Sequence, residues 1–270
     1  MVRRAARSQR DVDRRVLTRT RDLGRRARVA ALDLLLPRAC VGCSRLLGAH
    51  EEDLLCGACW LRAEELPRPR CHRCGHPVDT RRSESPCHWC ELLPPFVRAA
   101  RSAYAMPGGT AESAVHALKY GGWVRMARGM ARRMSGLPFP EDVEQERAAL
   151  VPVPLSAARL RERGYNQSTE LAHWLGKSWG IPVRDDLLER TRATASQTRL
   201  TPGERHRNVS GAFRARAERT TLQGLHLMLV DDVVTTAATL NACAVALHAG
   251  GARILSFVTF GRAPAVGDRW

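Results

Sequence analysis

Residues 225–250 read LHLMLVDDVVTTAATLNACAVALHAG, and the rest of the chain is organised around them. An apolar run, interrupted only by His226, meets two aspartates, Asp231 and Asp232. A short loop of threonines and small residues follows at 233–239. Leu240, Cys243, Ala244 and Leu247 then recur at helical spacing up to Gly250 and Gly251. A continuous apolar run of this length suits a buried parallel strand. The helical spacing with its terminal glycines suits a helix with a glycine stop. The order is therefore strand, acidic pair, hydroxyl loop, helix.

That order suits a phosphorylated sugar. Backbone N–H groups of the loop and of the helix N-terminus point at an anion, and the helix dipole favours it. Thr235, Thr236 and Thr239 add hydroxyl donors, while Ala237 and Ala238 let the backbone approach closely. The two carboxylates repel phosphate but accept hydrogen bonds from sugar hydroxyls. A ribose 5-phosphate satisfies both halves.

The stretch VDDVVTTAAT resembles the 5-phosphoribosyl 1-diphosphate (PRPP) motif of type I phosphoribosyltransferases. The resemblance implies that Asp231 and Asp232 hold the ribose hydroxyls. It implies that Val233, Val234, Thr235, Thr236, Ala237, Ala238 and Thr239 wrap the 5-phosphate. Ala237 stands where that family usually has glycine. If the position needs φ > 0, alanine costs about 1 kcal/mol there and lowers affinity. The bland alternative is an ordinary strand-to-helix turn beside a chance acidic pair.

Eight of the nine cysteines fall in four C-x-x-C pairs: Cys40/Cys43, Cys56/Cys59, Cys71/Cys74 and Cys87/Cys90. Twelve residues separate the pairs within each half, so C-x2-C-x12-C-x2-C occurs twice. Two such knuckles complete a tetrahedral S4 site suited to structural zinc. One or two zinc ions, pairing across the halves, and an iron–sulfur centre stay open. His72, His76 and His88 flank thiols that already fill four positions. Cys243 reads as a small buried hydrophobe.

Net charge is +16, supplied almost wholly by arginine, since Lys119 and Lys177 are the only lysines. Residues 1–28 hold 11 arginines against three aspartates and read as a basic disordered tail. A chain this basic binds polyanions or presents a solvated basic face. No run of about 18 apolar residues exists, so no membrane span is expected. The Arg-rich start lacks an apolar core and a cleavage site for secretion, so a cytoplasmic protein is expected.

Three segments follow from this: the tail, a short helix with a double zinc ribbon over 29–92, and an α/β domain over 97–262. Within that domain, 97–106 has strand character, 110–134 is helical with a break at Gly121 and Gly122, and 141–147 reads as a polar connection. AALVPVPL at 148–155 is a strand, and its prolines at 152 and 154 leave one hydrogen-bonding edge intact and the other incomplete. A basic loop, SAARLRERGYNQ, and a helix over 168–179 follow. Residues 191–208 read as a mobile loop with Arg199, Arg205 and Arg207 able to pair phosphate oxygens. A last buried strand spans 252–260. Strand and helix alternate, so a parallel sheet flanked by helices is expected, with its ligand at the C-terminal strand ends. Arg159 or Arg163 then faces a diphosphate, and Mg²⁺ bridges diphosphate and ribose oxygens.

Over about residues 29–262 the chain resembles the ComF family, phosphoribosyltransferase-like proteins linked to bacterial DNA uptake in natural competence. LDLLLPRACVGC, the paired C-x-x-C module, ALKYGG, VPVPL with RERGYNQ, QTRL, NVSGAF and VDDVVTTAAT carry the resemblance. Tyr165 replaces the family's usual phenylalanine. Two function classes follow. One is an enzyme moving a phosphoribosyl group from PRPP to a nitrogenous acceptor, although the sequence offers no obvious general base. The other is a non-catalytic module that senses PRPP or a nucleotide, holds single-stranded DNA, and couples to a DNA-import helicase. Trp60 and Trp89 lie in the ribbon module, where they either stack bases or pack it.

Overall fold

The computed structural model describes residues 38–48, 51–78, 87–192, 209 and 211–264. The expected tail, the helix from residue 29 and most of the loop at 191–208, with Arg199, Arg205 and Arg207, lie outside them. The chain divides into two compact units, one ending at Cys56 and one beginning at Gly57.

The second unit is built on a four-stranded parallel sheet: β1 (Val97–Ala105), β2 (Arg147–Pro152), β5 (His226–Val234) and β6 (Ile254–Arg262), in the order β1-β6-β5-β2. All three pairings are parallel. The two inner strands are β5 and β6, and their near-continuous apolar sequences are buried along almost their whole length. Parallel strands need crossover helices that cover both faces, which is why such strands are apolar throughout rather than alternating.

Helices α3 (Gly109–Tyr120) and α4 (Met126–Ser135) connect β1 to the next strand, with α5 (Glu141–Glu146) between. Met126, Met130 and Met134 recur every four residues on α4 and are fully buried. Each such side chain contributes about 1.5–3 kcal/mol by leaving water. Helix α4 packs on α7 (Gln167–Trp179), and both lie against the sheet. Helix α9 (Ala238–Ala249) buries Leu240, Cys243, Ala244 and Leu247 as its spacing predicts, and it packs beside the antiparallel pair β3 (Leu188–Arg190) and β4 (Phe213–Ala215).

Strand β2 behaves as its prolines require. Val153 N–H still bonds to the Val230 carbonyl, so the ladder toward β5 survives. On the other edge Leu150 alone exchanges bonds with the Pro182 and Arg184 backbone before Pro152 ends the strand.

Residues 141–147 are not a plain connection. Glu141–Glu146 is a helix, with Glu141, Asp142 and Glu144 in its first turn, where acidic side chains favour the N-terminal end of the dipole. Only Val143 is buried there, so no apolar period marked it.

The short elements of the cysteine region are α1 (Gly57–Leu61) and α2 (His88–Glu91); α6 (Ala157–Arg163) and α8 (Arg219–Leu222) complete the described helices.

Candidate functional site: an acid pair and a threonine loop beside a zinc knuckle

Because β5 and its neighbours run parallel, the segments that leave their C-terminal ends converge. A cleft of about 590 Å³ opens there. It is lined by Asp231, Asp232, Val233, Thr235 and Thr239 from the end of β5, and by Ser156, Arg159 and Gln167 from the segment after β2. Glu112, His116, Lys119 and Tyr120 of α3, with Arg190 of β3, complete the wall. Val234 and Ala238 are buried behind it. A smaller recess of about 30 Å³ lies along the loop itself, between Asp231 and Leu240. Arg163 lies next door, with Lys119, Tyr120 and Arg159, in an adjoining recess of about 480 Å³.

Each residue of RGYNQS has a part in holding this cleft. Gly164 takes the left-handed conformation that ends α6, at φ 81°. Tyr165 donates its hydroxyl to the Leu118 carbonyl. Asn166 caps α7 through Ser168 N–H and donates to the Val153 carbonyl at 3.0 Å. Gln167 accepts from Arg163. Ser168 Oγ donates to Asp231 at 2.8 Å. The motif thus ties α3, the end of β2 and the acid pair together.

Asp232 is 3% exposed and forms a 2.7 Å ion pair with Lys119. Its other oxygen accepts from Val233 N–H at 2.8 Å. Burial, then the neighbouring Asp232, pushes the Asp231 carboxyl up to about 7, against the pull of Lys119 and Ser168. Burial opposes the charge on Lys119, but Asp232 and Asp231 outweigh it and raise its pKa. The site therefore sets two acidic side chains on the cleft, one of them paired with a buried ammonium.

Lys119 was legible only as an ordinary basic residue at a helix end. Glu112, His116, Lys119 and Tyr120 fall at i, i+4, i+7 and i+8, which is one polar face of α3 opposite the buried Ala111, Ala114, Val115 and Leu118. That stripe was the available signal.

Ala237 adopts φ 56° and ψ 9° at the turn into α9, so the expected strain at this position is present.

The eight paired cysteines form two tetrads, Cys40/Cys43/Cys56/Cys59 and Cys71/Cys74/Cys87/Cys90, with all sulfurs of a tetrad within 4.8 Å of one another. Sulfur separations include 3.8 Å for Cys43–Cys56, 3.4 Å for Cys71–Cys90 and 3.5 Å for Cys74–Cys87. A tetrahedron of Zn–S bonds of about 2.3 Å has an edge of about 3.8 Å, so the thiols fit structural zinc and pair within each half. The repeat extends to the backbone. Cys40 N–H bonds to Arg45 as Cys71 N–H bonds to His76, and Ser44 and Gly75 share a positive φ. His72 is exposed, and His76 is buried with its ring 4.8 Å from Trp89. Neither is needed as a ligand. Trp60 is 5% exposed and packs on Tyr104 and Phe260, so it presents no face to a base.

The second knuckle reaches the loop. Cys74, Trp89 and Leu93 share a small cavity wall with Thr236, Ala237 and Leu240. Asn241 in the first turn of α9 donates to the Leu92 carbonyl at 2.7 Å, and Arg262 at the end of β6 donates to the Cys74 carbonyl at 2.8 Å.

A parallel sheet flanked by helices, this strand–acid pair–loop–helix unit and a preceding cysteine-rich zinc-binding module define the class: an α/β protein with a zinc-ribbon module. The double zinc ribbon domain family matches residues 31–91. The DNA utilization protein YhgH of Salmonella typhi is 34% identical over 235 residues, covering 81% of this chain and 94% of that protein. The competence protein ComFC of Bacillus subtilis is 25% identical over 199 residues, covering 72% and 77%. Among solved structures, glutamine PRPP amidotransferase of B. subtilis, complexed with ADP and GMP, overlaps 48% of this chain and 25% of its own, at 17% identity and a TM-score of 0.33. The chain belongs to the ComF family. Among the described residues, no helix is long and apolar enough to cross a membrane.

Proposed function

We propose that the cleft at the end of β5 binds PRPP with Mg²⁺, and that the protein serves the handling of DNA. The second half of the reading comes from relatives named for DNA utilization and competence. The observation that carries the first half is the convergence of the Asp231–Asp232 pair, the threonine loop and Arg159 on one cleft. Asp231 and Asp232 accept hydrogen bonds from the ribose hydroxyls. Backbone N–H groups from Thr235 to Thr239, where the loop leaves β5, and the hydroxyls of Thr235 and Thr239 take the 5-phosphate. The diphosphate lies toward Arg159 and Arg163, and Mg²⁺, if bound with it, would neutralise part of its charge.

Phosphoribosyl transfer to a nitrogenous acceptor is the reading that uses the most of the cleft. His116 and Glu112 supply the base that the sequence alone did not offer, since both line the wall. A base in that place takes the acceptor's proton as diphosphate leaves. The experiment is pyrophosphate release from PRPP and Mg²⁺ across a panel of nitrogenous bases, with PRPP binding by calorimetry. Acceptor-dependent release lost in His116→Ala, with binding kept, supports transfer. Binding without release for any acceptor leaves the sensing module as the function. Unchanged PRPP binding after Asp231→Asn with Asp232→Asn would refute the site.

A further inference from the structure

Helix α3 starts just past β1 and ends beside β5. Met106 N–H still bonds to the Arg262 carbonyl at the end of β6, Gly109 opens the helix, and Lys119 near its other end pairs with Asp232 at 2.7 Å. Its 12 residues reach about 18 Å, enough to cross four strand ends spaced about 4.8 Å apart. Helix α3 therefore lies across the C-terminal ends of the strands, and its polar stripe follows their order. His116 stands about one strand spacing before Lys119, toward β6, and Glu112 about two spacings before it, toward β1.

The cleft thus has two ends. Ser156 and Arg159 follow β2, and the proposed diphosphate takes that end. The end at β6 and β1 is lined by Met106, Pro107, Val115 and Ala263, with Glu112 and His116 from α3. Met106 is 6% exposed and lies on the backbone of Gly261, where an added Cβ would stand 2.6 Å from its Cγ. Glycine at the end of β6 lets the thioether form a floor there. Glu112 accepts from Gly108 N–H at 2.8 Å, which holds its carboxylate at this end. Among the described residues, the arginines and lysine of the cleft belong elsewhere: Arg159 and Arg190 follow β2 in the chain, and Lys119 is paired with Asp232.

A nucleophile reaches ribose C1 on the face opposite the departing diphosphate, within about 3–3.5 Å. With the diphosphate toward β2 and the ribose at β5, that face looks toward β6 and β1. We propose that this end of the cleft is the acceptor pocket, and that it selects a flat nitrogen heterocycle without an anionic substituent. Met106, Pro107 and Val115 offer an apolar surface, and a thioether packs well at an aromatic edge. A carboxylated ring would set its charge beside Glu112, and a small amine would leave the apolar surface uncovered. The ring nitrogen forms its bond to C1 as the bond from C1 to diphosphate breaks, and the nitrogen's proton passes to His116. The pocket depends on the PRPP reading for the direction of attack, whereas its preference for uncharged rings comes from its own wall.

The test uses the full chain and two variants. Ala263→Trp fills the pocket from a half-buried position, and Glu112→Gln removes the charge while its amide oxygen keeps the bond to Gly108. Ligand-observed NMR titrations, with and without PRPP, compare uncharged rings (adenine, hypoxanthine, benzimidazole) with carboxylated ones (nicotinate, orotate). The uncharged rings should bind at least about tenfold more tightly. Ala263→Trp should weaken them by about tenfold or more. Glu112→Gln should narrow the preference to about threefold, and both variants should keep their zinc content and PRPP affinity. Equal or tighter binding of the carboxylated rings, no binding of any ring, or unchanged binding in Ala263→Trp overturns the pocket. Uncharged rings that bind with this preference to a protein that does not hold PRPP refute the cleft reading and leave the ring pocket standing.

Discussion

Replacing Ala237 by glycine should stabilise this protein, although glycine usually weakens a helix start. The backbone there sits at φ 56° and ψ 9°. A Cβ in this left-handed region crowds the following carbonyl, at a cost of roughly 1–2 kcal/mol. The methyl group packs on the core from a half-buried position. Losing it forfeits about 0.4 kcal/mol, half the value of a fully buried methylene. The balance favours glycine by about 1 kcal/mol, or about 3 °C in melting temperature for a domain of this size. Ala238 is the control. It is buried in the first turn of α9, and Ala238→Gly should cost about 1 kcal/mol. Urea unfolding of the three proteins reads both changes. Adjacent deletions of one methyl group should thus move stability in opposite directions. Equal losses from both would refute the left-handed turn at 237. If the strain is instead relieved when ligand binds, calorimetry should find PRPP affinity lowered by up to about fivefold in Ala237→Gly, the factor equivalent to 1 kcal/mol.

Lys119→Met should destabilise the fold by about 3 kcal/mol, because it leaves the buried Asp232 carboxylate without its ion-pair partner. Adding Asp232→Asn should restore most of the loss in the same unfolding assay, and a double variant no more stable than the single one would sink that account. The folded state holds the Asp231 proton up to about pH 7, whereas the unfolded chain releases it near pH 4. The stability this proton contributes is therefore present below about pH 4 and lost as pH rises through about 7. Asp231→Asn, which keeps an acceptor for Ser168, should match the wild type in acid and exceed it at pH 8. Metal analysis should find two zinc ions per chain and one in Cys74→Ser. Because Cys74 packs with Ala237 and Leu240, PRPP affinity should fall with that second ion; undiminished affinity in Cys74→Ser would separate knuckle from loop.

Much of this molecule was legible before folding. The strand and helix of 225–250 announced themselves because burial on both faces demands a continuous apolar run, and one buried helix face demands a 3.6-residue period. The zinc tetrads were legible because C-x-x-C geometry is local, and their pairing followed the repeat. Pro152 foretold the end of β2 for an equally local reason, a missing N–H. The helix at Glu141–Glu146 escaped because its stability comes from acidic residues at its N-terminal end and one buried valine, which leaves no period to read.

What the chain order could not convey was which distant side chains share a space. Nothing local in Lys119 distinguishes it from any basic residue at a helix end. It becomes part of the site because Tyr165 and Ser168 tie α3 and α7 to the end of β5. Trp60 and Trp123 look alike in sequence, and the fold buries one against Tyr104 and Phe260 while holding the other open on Gly121. Local chemistry specifies residues 231–239 as a strand end and a threonine-rich loop. The balance of charge around that loop, and the zinc knuckle that backs it, are long-range contacts, and they exist only once the parallel sheet brings its C-terminal ends together.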